Sequence, residues 1–138
     1  EIAKAFTKPS ASTLGGNPVS SATAMAVLDY IEKNNLCERS EYLGAILKQK
    51  LELLKEKHPI IKEVRGLGLM LGAELVKANG EAASEETDLI LEKLKDRGLI
   101  VGKNGLGRNV LAFQPPLVIT EENIEVLIQN LDDVLSEL

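Results

Sequence analysis

The sequence predicts an α+β fold: a two-layer domain in which helices cover one face of a small, mostly antiparallel three-stranded sheet, in the order ααβαββα. Three observations carry that expectation. Several segments repeat their apolar residues at the 3.6-residue spacing of a half-buried helix. One continuous apolar stretch, Arg65 to Val76, has strand length and contains three glycines. Two further short strands are joined by the Gly-rich turn Gly102-Lys103-Asn104-Gly105-Leu106-Gly107.

Taken in order, residues 1 to 18 have no periodicity and are rich in small, turn-forming types, which predicts an irregular arm. From Val19 to about Asn34 the chain is Ala-rich, with Ala22, Met25, Ala26, Asp29 and Tyr30 at helical spacing and few charges. That pattern predicts a helix packed on most of its sides. A second helix is expected from about Arg39 to Lys57, with Leu43, Ile46, Leu47, Leu51 and Leu54 on one stripe. His58-Pro59 ends it, because proline disfavours helical geometry in the residue before it. The apolar stretch follows as a central strand approached closely by other backbone. A third helix, about Ser84 to Arg97, turns Ile90, Leu91 and Leu94 inward and stops at Gly98, a suitable C-cap residue. Strands at Leu99 to Val101 and Asn109 to Phe113 precede a last helix. Its N-cap is Thr120, Glu121 and Glu122 occupy its positive first turn, and Ile124, Leu127, Ile128, Leu131, Val134 and Leu135 share one face. There is no internal repeat.

Composition narrows the function. The chain of 138 residues is 44% hydrophobic and 27% charged, typical of one globular domain. Its net charge of −5 is spread along the chain, which argues against nucleic acid as a partner, since phosphate backbones need a concentrated basic surface. No apolar run reaches bilayer-spanning length and the N-terminus lacks a signal-peptide core, so a cytoplasmic location is expected, with no membrane partner. Cys37 is the single cysteine and His58 the single histidine, which leaves no standard ligand set for a metal. The first residue is Glu1 and not Met, which suggests a chain processed or cut from something longer.

Two glycine patterns have the wrong context for the chemistry they invite. Gly66-x-Gly68 before Gly72 lacks dinucleotide-fingerprint spacing and falls within an expected strand. Gly102-Lys103 lacks the upstream glycine and the following Ser or Thr of a P-loop. His58, alone at a helix end, is expected at the surface or in a cap and not as a general base. The segment Ser12-Thr13-Leu14-Gly15-Gly16-Asn17-Pro18 is more telling. Small residues let backbone approach a ligand, hydroxyls can donate to phosphate oxygens, and a helix start presents unpaired N–H groups. Chemistry alone leaves two readings open, a phosphate contact or a plain turn and N-cap.

That segment, followed by the Ala-rich helix with Ala26-Val27-Leu28, resembles the S-T-x-G-G-N-P signature of class III aminotransferases. Val64-Arg65-Gly66-x-Gly68-Leu69-Met70-x-Gly72-x-Glu74-Leu75 resembles the family's next signature. Gly98-Leu99-Ile100-Val101 with Asn109-Val110 and Pro115-Pro116-Leu117 resembles its last. Order and spacing agree over essentially the whole chain, and the flavour is that of the alanine–glyoxylate and 4-aminobutyrate aminotransferase branch. The resemblance implies that residues 19 to 138 form the C-terminal domain of an enzyme dependent on pyridoxal 5'-phosphate (PLP). It also implies a homodimer whose substrates are a small-molecule amine and a 2-oxo acid, with the remainder of a parent chain as the domain's other partner.

In such enzymes the protein supplies a lysine Schiff base, a carboxylate at the pyridinium nitrogen and a phosphate cup. Neither Lys4 nor Lys8 matches the family's lysine, so the segment by itself is expected to be inactive and no catalytic residue is assigned. By resemblance Thr13, with Ser12 beside it, donates its hydroxyl to the PLP phosphate held by the partner subunit. The arm at residues 1 to 18 thus bears the phosphate-contact motif. One departure from the pattern stands out: many relatives place a substrate-gripping arginine three residues before the Pro115-Pro116 pair, and here that position is Ala112. The alternative of a different class is a free-standing small-ligand-binding or interaction module on the same α+β frame.

Overall fold

Leucines at helical intervals frame the computed structural model, which describes residues 2–5, 7–9 and 11–138. Glu1, Phe6 and Ser10, three positions of the arm expected over residues 1 to 18, lie outside the described residues. The chain divides into two units, Glu1–Asn35 and Leu36–Leu138, each taken by itself below.

The first unit holds a 3-10 helix, Ile2–Ala5, and helix α1, Pro18–Lys33. Pro18 occupies the first helical turn, where its missing N–H costs nothing, and Asn17 is the N-cap, its side chain accepting from the Ser20 N–H at 3.0 Å. At the other end the Asn34 carboxamide donates to the Tyr30 carbonyl at 2.8 Å. The sequence predicts a helix buried on most sides, but no residue of α1 is buried; Val19, Met25, Leu28 and Tyr30 are all more than half exposed. Composition reports what a helix is suited to contact, and among the described residues none of α1 is buried.

The second unit is a two-layer α+β domain. Helix α2, Leu36–Lys57, buries Leu43, Leu47, Leu51 and Leu54 on one stripe. Strand β1, Ile61–Leu67, and strand β2, Met70–Leu75, follow, then helix α3, Ser84–Asp96, strand β3, Gly102–Asn104, strand β4, Val110–Phe113, and helix α4, Glu121–Ser136. The sheet has four strands in the order β1-β2-β4-β3, every pair antiparallel. Val64, Leu71, Ala73, Leu75, Leu111 and Phe113 point into one core with Ile90, Leu94, Ile124, Leu131 and Val134 from the helices. Each Leu-sized side chain so buried contributes about 1.5–3 kcal/mol.

Three strands were expected and four are found, because the apolar stretch from Arg65 to Val76 is not one strand. It turns back at Gly68-Leu69, and the residues before the turn join Ile61–Val64 to make β1. Gly66 has φ +136° and Gly68 has φ +52°, conformations that favour glycine. The turn also sits against α2: a Cβ on Gly44 would come within 2.2 Å of the Gly68 carbonyl oxygen, and the Leu69 N–H donates to Ser40 Oγ. The strand expected at Leu99 to Val101 starts pairing only at Gly102, so half of the expected turn is β3. The strand expected from Asn109 pairs formally from Val110, although Asn109 is buried and exchanges bonds with Leu75.

The helix ends follow their local chemistry. Gly98, φ +81°, closes α3 in a Schellman arrangement: Leu99 N–H bonds the Leu94 carbonyl and Gly98 N–H the Lys95 carbonyl, both at 2.9 Å. Thr120 caps α4 in a reciprocal capping box with Asn123. His58 departs from expectation. Its N–H does cap α2, at 2.7 Å from the Leu54 carbonyl, but its ring is buried, with Nε2 2.6 Å from Asp132 Oδ1 on α4. Lys57 donates to the other oxygen of Asp132. The Asp132 carboxyl is held below its ordinary range by its bond to His58 first and by Lys57 second.

Candidate cofactor-contact turn and open sheet face

The Ser12–Pro18 segment is a tight turn running into α1. The Gly15 N–H donates to the Ser12 carbonyl at 3.3 Å, and Gly16 takes φ +73°. A side chain at Gly15 would press within 3.0 Å of Ser12 Cβ and Oγ, so glycine lets the loop close. Asn17 does the remaining local work: its carboxamide donates to the Leu14 carbonyl at 2.8 Å and to Ser20 Oγ at 2.9 Å. The cap is therefore Asn17 and not Thr13. Ser12 and Thr13 are exposed, and neither hydroxyl has a hydrogen bond among the described residues. Hydroxyls that a turn does not use are available to an acceptor from outside, and phosphate oxygens are strong acceptors.

The second signature lies over the β1–β2 hairpin, and the third runs through β3, β4 and the Pro115-Pro116 bend. Ala112 sits in β4 in register with Gly72 on one neighbouring strand and Gly102 on the other. Since strand neighbours alternate faces, Arg65, Gly72, Ala112 and Gly102 form one row on the side opposite Leu111 and Phe113. The row is nearly bare of side chains at its centre. A cleft of about 250 Å³ on this face is lined by Arg65, Met70, Gly72, Asn104, Ala112 and Gln114, among others.

Arg65 is the cation of that cleft, two strands and so about 10 Å from Ala112. It is already engaged: Nη1 donates to Glu63 Oε2 at 2.7 Å and to Glu74 Oε2 at 2.6 Å. Those bonds, Glu74 first, raise its pKa above the ordinary arginine value. Arg108 follows the loop with φ +52°, outside the strand, and Gln114 is neutral. No spacing in the sequence marks this row; the cross-strand register alone aligns Gly72, Ala112 and Gly102.

The family model for aminotransferase class-III matches residues 1–135. The chain belongs to the class III aminotransferase family. It is 43% identical to "alanine–glyoxylate aminotransferase 2 homolog 2, mitochondrial" of Arabidopsis thaliana, over all of this chain and 30% of that protein. It is 44% identical to acetylornithine aminotransferase of Caldanaerobacter subterraneus subsp. tengcongensis, over 98% of this chain and 33% of that protein. Among solved structures, a Bacillus anthracis aminotransferase superposes with a TM-score of 0.87 at 34% identity, covering 99% of this chain and 34% of that one. The chain thus spans about a third of the length of the relatives it matches, and the reading as a free-standing module is not favoured. No helix among the described residues is long and apolar enough to cross a membrane.

Proposed function

We propose that this chain serves as the C-terminal domain of a homodimeric, PLP-dependent aminotransferase, cytoplasmic in location, that moves an amino group from an amine or amino acid to a 2-oxo acid. The observation that carries the reading is the family match over residues 1–135 together with two exposed hydroxyls that make no hydrogen bond among the described residues. PLP, when bound, supplies the electron sink for such chemistry. The residues present fit its phosphate end: Thr13 and Ser12 offer hydroxyl donors, small neighbours allow close approach, and Asn17 fixes the turn that presents them. In the proposed dimer they hold the phosphate in the partner subunit's site, positioning the group and taking no part in proton transfer. A charge-assisted bond of this kind is worth about 1.5–3 kcal/mol. In the full enzyme, Thr13→Ala is then expected to weaken cofactor retention by roughly tenfold to a hundredfold, with an unchanged melting temperature of the cofactor-free protein. A variant that binds PLP normally but melts earlier would make Thr13 a structural residue and overturn the assignment.

The substrate reading rests on Ala112. Its methyl group offers nothing to a carboxylate, and the arginine that shares its row is committed to Glu63 and Glu74. We infer that the enzyme either prefers amines without an α-carboxylate, such as ω-amines or diamines, or anchors the carboxylate through a residue outside this chain. A donor panel on the full enzyme and its Ala112→Arg variant separates the two. Strong wild-type preference for α-amino acids, unchanged by Ala112→Arg, would remove the first branch.

A further inference from the structure

The sequence contains two Asn-Gly pairs, Asn79-Gly80 and Asn104-Gly105. Such pairs are the ones most open to intramolecular attack on an asparagine carboxamide, because glycine has no side chain to shield its own amide nitrogen. The structure places the two pairs in opposite situations. Around Asn79 both reacting groups are engaged: the Gly80 N–H, the nucleophile, donates to the Lys77 carbonyl at 2.8 Å, and Asn79 Oδ1 accepts from the Glu81 N–H at 3.0 Å. The loop is closed again by Lys77 N–H on the Glu81 carbonyl at 2.8 Å and by the Val76–Ala82 bridge. Bringing the Gly80 nitrogen onto the Asn79 side-chain carbon breaks both bonds first.

Asn104 is the last residue of β3 and is exposed. Among the described residues neither its carboxamide nor the Gly105 N–H has a hydrogen-bond partner. Gly105 has φ +87°, and the loop beyond it is tied by the Arg108 N–H on the Gly105 carbonyl and by the Ser84 hydroxyl on the Gly107 carbonyl, with Leu106 fully exposed between them. Rotation of the backbone between 104 and 105 moves that short loop and loosens the end of the β3–β4 pairing at Asn104 and Val110.

We propose that Asn104 is a site of spontaneous, fold-selected deamidation, while Asn79 is protected by its turn. The Gly105 backbone nitrogen attacks Cγ of Asn104 and gives up its proton. The new N–Cγ bond forms as the Cγ–Nδ2 bond breaks, and ammonia leaves with that proton, giving a five-membered imide. Water then opens the ring, at Cγ to give aspartate or at the main-chain carbonyl carbon to give an isoaspartyl linkage. No oxidant or catalyst is required, and the rate rises with pH as the amide nitrogen loses its proton more readily. The product makes the net charge of −5 one unit more negative. The new carboxylate stands in the row of Val110 and Glu74 on the open face, and the isoaspartyl form lengthens the backbone where Asn104 pairs with Val110.

The experiment ages the 138-residue chain in mildly alkaline buffer, folded and in denaturant, and maps both sites by peptide mass spectrometry with isoaspartyl-specific methyl labelling. Expected in the folded chain is conversion at Asn104 several-fold faster than at Asn79, with the two rates approaching each other in denaturant. Asn104→Gln abolishes the folded-state signal, since glutamine would have to close a larger ring. Equal rates in the folded chain, faster loss at Asn79, or a folded-state ratio matching the denatured one would overturn the proposal.

Discussion

The two units of this chain differ in what their residues are for. Leu36–Leu138 closes a single core, with Leu47, Leu51, Leu75, Leu94, Leu111 and Leu131 fully buried. Glu1–Asn35 contains an Ala-rich helix with no buried residue and a turn in which the Ser12 and Thr13 hydroxyls make no hydrogen bond among the described residues. Both are rich in apolar residues, so composition alone does not separate them. The difference lies in satisfaction: in the first case contacts and hydrogen bonds close on themselves, and in the second the apolar surface and the donors point outward. The segment proposed for cofactor contact belongs to the second of these, Glu1–Asn35.

The largest expected effect tests the burial contrast directly. Leu47→Ala removes a fully buried side chain and should destabilise the domain by about 2–5 kcal/mol, whereas Leu28→Ala in α1, more than half exposed, should stay within about 0.5 kcal/mol. Denaturant melts of both variants check this, and comparable losses would show that α1 is covered within the chain itself.

Next in size is the helix–hairpin contact. A methyl on Gly44 has no room against the Gly68 carbonyl, and backbone cannot rotate aside as a side chain can. Gly44→Ala should therefore cost about 1–3 kcal/mol through displacement of α2 from the β1–β2 turn, although alanine favours helix more than glycine does. A stabilised variant would mean that this approach is looser than the geometry states.

That turn also marks where the sequence was opaque. Helices α2, α3 and α4 were legible because their leucines recur at 3.6-residue spacing and because Gly98 and Thr120 are unambiguous end signals. The hairpin was not, since Leu67-Gly68-Leu69-Met70 carries no polar turn residue and its neighbours are apolar on both sides. A retrospective signal exists in Leu69, Leu71, Ala73 and Leu75, which alternate inward at period two only if the chain reverses before them. The site divides similarly. The turn at Ser12–Pro18 could be read from its glycines and proline, but the cap fell to Asn17, and the open row Arg65–Gly72–Ala112–Gly102 needed cross-strand register that no single segment encodes. His58 caps α2 with its backbone, but the burial of its ring is not legible locally, because its partner, Asp132, lies 74 residues away.

The His58–Asp132 contact gives a smaller and pH-dependent effect. Because the folded-state pKa of Asp132 is lowered, its stabilising contribution is complete above the ordinary carboxylate range and is lost as pH falls through the lowered value. Asp132→Asn is expected to cost about 1–2 kcal/mol near neutrality, chiefly by replacing the charged acceptor that His58 and Lys57 share with a neutral carboxamide. The penalty should shrink in acid, where the wild-type carboxyl is itself protonated. Melts across acidic to neutral pH test the sign; a penalty that grows on acidification would assign the shift to the wrong partner.

The smallest effect on folding is the one that best separates turn from contact, and it lies within the first unit. Asn17 fills the cap of α1, so Asn17→Ala should lower the stability of that helix by about 1 kcal/mol, visible as reduced helical signal from the 138-residue chain. The Thr13 hydroxyl makes no hydrogen bond among the described residues, and Thr13→Ala should leave the same signal within about 0.5 kcal/mol. Two neighbouring polar residues in one signature would then have separable roles, one holding the turn and the other facing away from it. Equal losses for the two variants would place Thr13 in the local hydrogen bonding after all, and its hydroxyl would no longer be available to a phosphate.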